Sequence, residues 1–420
     1  MPADLTRDEI EFARFAVKLS AQPYAPYDSY ATGHATPYFY VLLGSFKLLG
    51  LSQLALRLPA AILGVLGVIA LYLVLNQLWG SSPIKLKTPF QNKDVHVDMA
   101  FITAAIFATT RWYYIFARYS FEATFIILLE LVSLAAIIRF VQKKHMLWLI
   151  VSAVFAGLAY NSYQPGRLFI IIPFITLLIF PAVRSLKNIF IYLLICGCLM
   201  LPLTLYISQH KDVRIQQQLY FADKNLSASE KATFLLQNTT HTIGMFFWKG
   251  DVSGRHNYPY KPSLTLIAAF FSIIGLVVSL RQFRSGYNSV FLIYFFLALI
   301  PTLLTYPHEN PNMLRTITVL PALMYFLGLG VRTLAHFFQE AHQTKRYSSY
   351  IVTGLLLLLI GSAYQDARTY FIFQKQVFEE AFEIKDGFAG VYVFMHERSI
   401  PVEQFRLSAE EMEVYNKVAR

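Results

Sequence analysis

Ten stretches of about twenty mostly apolar residues recur along the chain, near 54–78, 99–117, 121–141, 147–163, 167–183, 189–207, 263–280, 289–306, 314–335 and 349–365. Each is long enough to cross a hydrocarbon core, and in lipid such segments satisfy their backbone only as helices or a closed barrel. Their length and continuous apolar character select helices. The expected fold class is therefore an all-α polytopic membrane protein. A content of 56% hydrophobic and 15% charged residues excludes an ordinary soluble domain. Three parts are expected: a first loop with surface helices over 1–53, a transmembrane bundle over 54–366 with a polar insert at 208–262, and a short tail over 367–420. The first loop includes a surface helix over Pro37 to Leu49.

Orientation follows from the positive charge of the short loops. Loops 79–98 (Lys85, Lys87, Lys93), 139–146 (Arg139, Lys143, Lys144), 182–188 (Arg184, Lys187), 281–288 (Arg281, Arg284) and 332–348 (Arg332, Lys345, Arg346) are basic with almost no acid, while connections at 118–121, 164–167 and 307–315 hold one Arg each. The first group is assigned to the cytoplasm, which places the N-terminal loop, the insert and the tail together on the extracytoplasmic face. The net charge of +11 is thereby explained as retained loops, and no basic stretch interleaved with stacking aromatics points to nucleic acid. Met1 to Ser20 is no signal peptide, since it holds Asp4, Asp8, Glu9 and Glu11 and lacks an apolar core. Exporting it requires a helix ahead of it, so one further transmembrane helix is expected before Met1. Cys196 and Cys198, two apart on a helix, point in different directions and can neither bridge nor bind zinc together.

Three groups of residues could carry chemistry. In Thr6-Arg7-Asp8-Glu9, Thr6 and Glu9 have the spacing of a capping box opening an amphipathic helix whose Ile10, Ala13, Ala16 and Val17 would face the membrane surface. Asp8 is left to project from the first turn. A second cluster, Lys249 to Pro262, has two glycines and two prolines in a compact turn, and its Asp251, Arg255, His256 and Asn257 could hydrogen-bond a sugar or an acceptor. The third is a set of outward arginines at helix ends, Arg57, Arg118, Arg167 and Arg315. Each alone could be an arginine snorkelling to the interface, but together they supply the planar, permanent charge that pairs with phosphate oxygens. Glu122, Tyr160, Tyr163, Gln164, His308, Glu309 and Asn310 lie at the same depth. The outward histidines, His34, His210, His241, His256, His308 and His396, show no i, i+4 pair, so no metal site is expected. A divalent cation on Asp8, Glu9 and a histidine is the alternative without support. No glycine loop that cradles nucleotides occurs, which argues against a cytosolic nucleotide-sugar donor.

Thr6-Arg7-Asp8-Glu9, the Pro37-Tyr38 helix start, Gly50-Leu51-Ser52 leading to Arg57-Leu58-Pro59 and Gly64, Phe116-Ala117-Arg118, and Asn312 to Arg315 with Pro321 follow one another in an order that resembles the GT-C membrane glycosyltransferases. Within that class the chain is similar to family 39, with the dolichyl-phosphate-mannose protein mannosyltransferases and the bacterial aminoarabinose transferases. The resemblance spans roughly residues 1–335, and the 250–259 loop is similar to one found in bacterial members. It implies a GT-C helical bundle in the inner or plasma membrane, a polyprenyl- or dolichyl-phosphate sugar donor drawn from the bilayer, and inverting transfer on the extracytoplasmic face to a protein, lipid or glycan hydroxyl. It implies Asp8 as base, with Glu9 beside it, and Arg57 and Arg315, backed by Arg118 and Arg167, at the lipid phosphate. Tyr163, Asp251, Arg255, His256, Asn257 and His308 would contact substrate, and no cofactor is implied. The chain departs from the family in lacking its first transmembrane helix and any large domain after residue 366.

A transporter or flippase of lipid-linked glycans is the main rival; it would place charge at mid-membrane within paired repeats. Here Glu130 is the chief central charge and no internal repeat is visible. A ligase of lipid-linked glycans would share the arginines without needing Asp8. The sugar and the acceptor are not encoded in any motif.

Overall fold

The computed structural model describes residues 5–30, 33–80, 84–87, 94–210, 217–340, 347–381, 384–385 and 388–418. Its first loop contains β1 (Leu5–Thr6), α1 (Arg7–Leu19), β2 (Tyr27–Asp28), β3 (His34–Ala35) and α2 (Pro37–Leu49). The bundle contains α3 (Gln53–Trp79), β4 (Ile84–Lys87), β5 (Asp94–Val97), α4 (Met99–Thr109), α5 (Arg111–Phe116), α6 (Ala123–Lys143), α7 (Met146–Tyr160), α8 (Ile171–Ile179) and α9 (Leu186–Gln209). After the insert helix α10 (Ala228–Phe247) come α11 (Leu266–Arg281), α12 (Gly286–Leu303), α13 (Leu320–Glu340) and α14 (Ser348–Arg368). A π-helical turn, Thr369–Phe373, leads to α15 (Gln374–Ala381), β6 (Ile384–Lys385), α16 (Ala389–Glu397) and α17 (Ala409–Val418).

A helix thus occupies each of the ten apolar runs, and among the described residues six helical segments are long and apolar enough to cross a membrane by themselves. The run at 99–117 is broken at Thr110, whose backbone is extended between α4 and α5. This break turns Arg111 into the protein. Lys93, Lys345 and Arg346 of the basic loops lie outside the described residues, as do Asp4 and Glu383.

Close backbone approach fixes the packing of α11 on α13. A β-carbon on Gly275 would fall 1.8 Å from the carbonyl oxygen of Phe326, and one on Gly330 would fall 2.1 Å from that of Phe271. Small residues at such a crossing let two membrane helices share van der Waals contact along their backbones. Gly275→Ala is expected to force the pair apart, at the roughly 1–3 kcal/mol of an overpacked core, read as a lowered melting midpoint of the detergent-solubilised chain.

The first loop and the tail are built together. β1 pairs antiparallel with β6, Leu5 opposite Lys385 and Thr6 opposite Ile384. The apolar face of α1 is covered by α2 and α16, so Ile10, Ala13, Ala16 and Val17 are buried in protein. The sequence expectation that this face lies on the membrane is therefore corrected: the tail supplies the cover. The predicted capping box forms, with Thr6 Oγ1 accepting from the Glu9 amide at 3.2 Å and Glu9 Oε2 from the Thr6 amide at 3.1 Å.

Candidate active site

One end of the bundle gathers the start of α1, the 118–122 turn, the 249–262 loop and the 307–315 connection around a cavity of about 430 Å³. Of the residues named from the sequence, Asp8, His34, Tyr163, Asp251, Arg255, His256, His308, Glu309, Asn310, Asn312 and Arg315 line it. Asp8 projects from the first turn of α1 and accepts a hydrogen bond on Oδ2 from Arg255 Nη1 at 2.7 Å. Both side chains are partly exposed, Asp8 at 33% and Arg255 at 42%. Burial, then the charge of Asp8, push the neighbouring Tyr119 phenol well above its ordinary value. Tyr119 is a neutral hydroxyl at working pH.

Arg315 stands in the same cavity with its side chain only 9% exposed. Glu309 accepts from its Nη2, while Nη1 is buried with no hydrogen-bond partner among the described residues. A guanidinium proton shielded from water without an acceptor is costly. As a residue of the cavity wall, Arg315 brings permanent positive charge to whatever anion enters there.

The 249–262 loop is set in place from inside. Asp251 Oδ2 accepts the amide of Met313 at 2.8 Å and lies 3.2 Å from His256 Nδ1, and Oδ1 accepts the Ser253 amide at 2.7 Å. Asp251 therefore ties the loop bearing Arg255 to the turn bearing Arg315. Asn257, expected at the substrate, is fully buried and instead bonds the Asp251 and Lys261 carbonyls and Arg111. Gly250 permits this closure, since a β-carbon there would lie 1.9 Å from the Lys261 carbonyl oxygen.

Four other expected residues do not open on the cavity. Glu9 is fully buried, its oxygens taken by Thr6, by the Ser120 amide at 3.3 Å, and by Arg57, whose Nε and Nη2 reach it at 2.6 and 2.8 Å. In this geometry Glu9 anchors the helix that presents Asp8, and Arg57 anchors Glu9. Arg118 lies beside Arg57 in a separate trough, and Arg167 lines a small pocket with Tyr163, His34 and Glu122. His308 is on the cavity rim, three-quarters exposed.

Sequence reasoning missed two features. His34 Nδ1 lies 3.2 Å from Glu122 Oε1 across 88 residues of chain, and both are buried. Arg111 is wholly buried inside the protein, its backbone amide donating to Asp366 at 3.2 Å and its Nη2 to the Pro262 carbonyl at 2.7 Å. Neither carries a local motif. The only available signal was a lone arginine inside an otherwise apolar run.

No protein-family model and no curated protein matches the sequence. Among solved structures, the chain is similar to ArnT from Cupriavidus metallidurans bound to undecaprenyl phosphate, at 12% identity and a TM-score of 0.51, covering 96% of this chain and 73% of that one. It is also similar to the oligosaccharyltransferase AglB from Archaeoglobus fulgidus in complex with an inhibitory peptide and a dolichol-phosphate, at 15% identity and a TM-score of 0.52, covering 99% of this chain and 56% of that one. The architecture is the GT-C fold of membrane glycosyltransferases.

Proposed function

We propose that this protein is an integral-membrane glycosyltransferase that moves a sugar from a polyprenyl- or dolichyl-phosphate donor to an acceptor hydroxyl on the extracytoplasmic face, with inversion. The observation that carries the reading is the presence, in one cavity at one end of a GT-C bundle, of a partly exposed carboxylate and a permanently charged guanidinium. Asp8 takes the proton of the acceptor hydroxyl, through Oδ1, as that oxygen attacks the anomeric carbon. The bond from that carbon to the phosphate oxygen breaks, and the lipid phosphate leaves with the electron pair. Arg315 meets the charge that develops there, in a setting where water is scarce and a fixed donor is worth most. Arg255 holds Asp8 in place through Oδ2. Tyr163, His256 and His308 offer hydrogen bonds to sugar or acceptor from the cavity wall.

Two solved relatives of the fold hold undecaprenyl phosphate and dolichol-phosphate, which supports a lipid-phosphate donor here. Arg315→Gln is expected to lower transfer from a radiolabelled polyprenyl-phosphate sugar by about 10²- to 10³-fold, since the shape is kept and the charge lost. Unchanged turnover would end the reading, and so would movement of lipid-linked glycan across vesicles without any transfer. Mass spectrometry of envelope glycans and glycoproteins with and without the gene names sugar and acceptor together.

A further inference from the structure

Inside the bundle, α6 carries a carboxyl group that takes no part in the transfer step derived above. From Glu122 to Glu130 is about 12 Å along the helix at 1.5 Å per residue, and Glu130 is buried at 1% exposure. Its Oε2 accepts the Tyr294 hydroxyl of α12 at 2.5 Å. Among the described residues no basic group answers its charge, and its Oε1 is buried without a hydrogen-bond partner. An ionisable side chain inside a membrane is costly, and one that is kept there faces a polar partner or water.

Thr318 supplies the second half of the observation. It sits in the 3-10 turn Ile317–Val319, which packs against α6, α12 and α13. Its hydroxyl too is buried with no hydrogen-bond partner among the described residues. Glu130, Tyr294 and Thr318 line one small void of about 10 Å³, and the rest of its wall is apolar. A space of roughly 10–15 Å³ is the least that holds one water, which needs two to four polar partners. Leaving two buried oxygens unbonded is costly, and one water between Oε1 of Glu130 and Oγ1 of Thr318 satisfies both.

The turn connects this point to the cavity. From Asn312 onward the backbone closes on itself step by step: the Thr316 amide donates to the Asn312 carbonyl at 3.2 Å, Ile317 to Leu314 at 3.3 Å and Val319 to Thr316 at 3.1 Å. Arg315 and Thr318 therefore move as one piece, Arg315 on the cavity and Thr318 on the void. Asp251 and Trp112 hold the front of the same segment through the Met313 amide and carbonyl, each at 2.8 Å.

We propose that Glu130 is a positioning residue: through one buried water it holds Thr318, and through that turn it sets the guanidinium of Arg315 against the phosphate. The part given to Arg315 rests on the reading of the cavity above, in which polyprenyl phosphate is released there. A carboxyl group accepts from Tyr294 on one oxygen and meets the water on the other, so α6, α12 and the turn are joined at one point. Glutamine can make the same two contacts and leucine neither.

Native mass spectrometry of the delipidated full chain, titrated with undecaprenyl phosphate, tests the link. Glu130→Leu and Thr318→Val should each weaken the lipid's dissociation constant by about tenfold, the worth of one hydrogen bond to a charged group. Glu130→Gln and Thr318→Ser, which keep the bridging groups, should bind as the wild type does. Glu130→Leu combined with Thr318→Val should lose no more than the worse single variant, because both cut one link. Thr318→Val placed in Arg315→Gln should cost nothing further, because the group it positions is gone; a role in stability alone would not vanish there. Thr318→Val keeps the side chain's shape and stays informative if Glu130→Leu does not fold. The proposal is overturned if Thr318→Val binds as the wild type does, if the two losses multiply, or if Thr318→Val still weakens binding in the Arg315→Gln background. It is overturned as well if Glu130→Gln is as damaged as Glu130→Leu, since the ionisable group itself would then matter. Failure of the cavity reading looks different: Arg315→Gln alone would keep the wild-type affinity.

Discussion

Replacement of Asp8 by Asn is expected to lower sugar transfer by about 10²- to 10⁴-fold, the range that a positioned base contributes, with donor binding retained. The substitution preserves volume and leaves a carbonyl oxygen to accept from Arg255, so the first turn of α1 keeps its place. Its effect on folding should be small, because the Asp8–Arg255 pair is partly exposed and such pairs contribute only about 0–1 kcal/mol. Thr6, Glu9 and Arg57, which fix the start of the helix, are untouched. The loss would therefore be read in turnover, with an unchanged melting midpoint and unchanged retention of undecaprenyl phosphate. Arg255→Gln provides the contrast: it removes the same ion pair but not the base, and should cost far less than Asp8→Asn. Full activity in Asp8→Asn would leave the aspartate as an ornament of a helix N-terminus, where acids are favoured in any case.

The bundle was legible because its signal is long: runs of twenty apolar residues admit little besides a helix, and a helix stands on each of them. The capping box was legible because it is local, two side chains three residues apart. Asp8 and Arg315 could be named as chemical groups, but nothing in the chain states that residues 307 apart share a cavity. The arginines show where such reading stops. Arg57 and Arg315 look alike in sequence, each an outward cation at a helix end, yet Arg57 is closed on Glu9 through both Nε and Nη2 and lies off the cavity, whereas Arg315 gives one nitrogen to Glu309 and lines the cavity. The difference is made by Glu9, which the capping box turns inward. The tail was illegible for a further reason. Leu5 and Thr6 pair with Lys385 and Ile384 through backbone groups, which carry no side-chain signature, so its part in holding the strand before Asp8 leaves no mark in composition.

Arg111→Met is expected to produce the largest loss of stability of any single change near the site, about 3–5 kcal/mol. The side chain is wholly buried, with Nε 3.6 Å from Asp366 Oδ1, Nη2 on the Pro262 carbonyl and Nη1 on Asn257. Methionine fills a similar volume, so the damage comes from the groups left behind: a buried carboxylate on α14 without its cation, and two loop acceptors without a donor. A helical membrane protein of this size does not melt as one two-state unit, so the measurement is an apparent midpoint in detergent, expected to fall by about 5–10 °C. The same change loosens the loop from behind, since Asn257 links Arg111 to the Asp251 carbonyl, and Asp251 joins Arg255 to the turn of Arg315. Two further links from the C-terminal segment, Thr369 with Lys261 at 2.5 Å and Gln374 with the Gly254 carbonyl at 3.1 Å, remain and should keep the loop from leaving altogether. The double variant Arg111→Met with Asp366→Leu separates the two effects. Removing the orphaned carboxylate should restore most of the midpoint, because apolar replacement of a buried pair is often neutral. It cannot restore the bonds to Asn257 and Pro262, so transfer should stay depressed. A wild-type midpoint in Arg111→Met alone, or full recovery of transfer in the double variant, would show that the loop is positioned without this arginine.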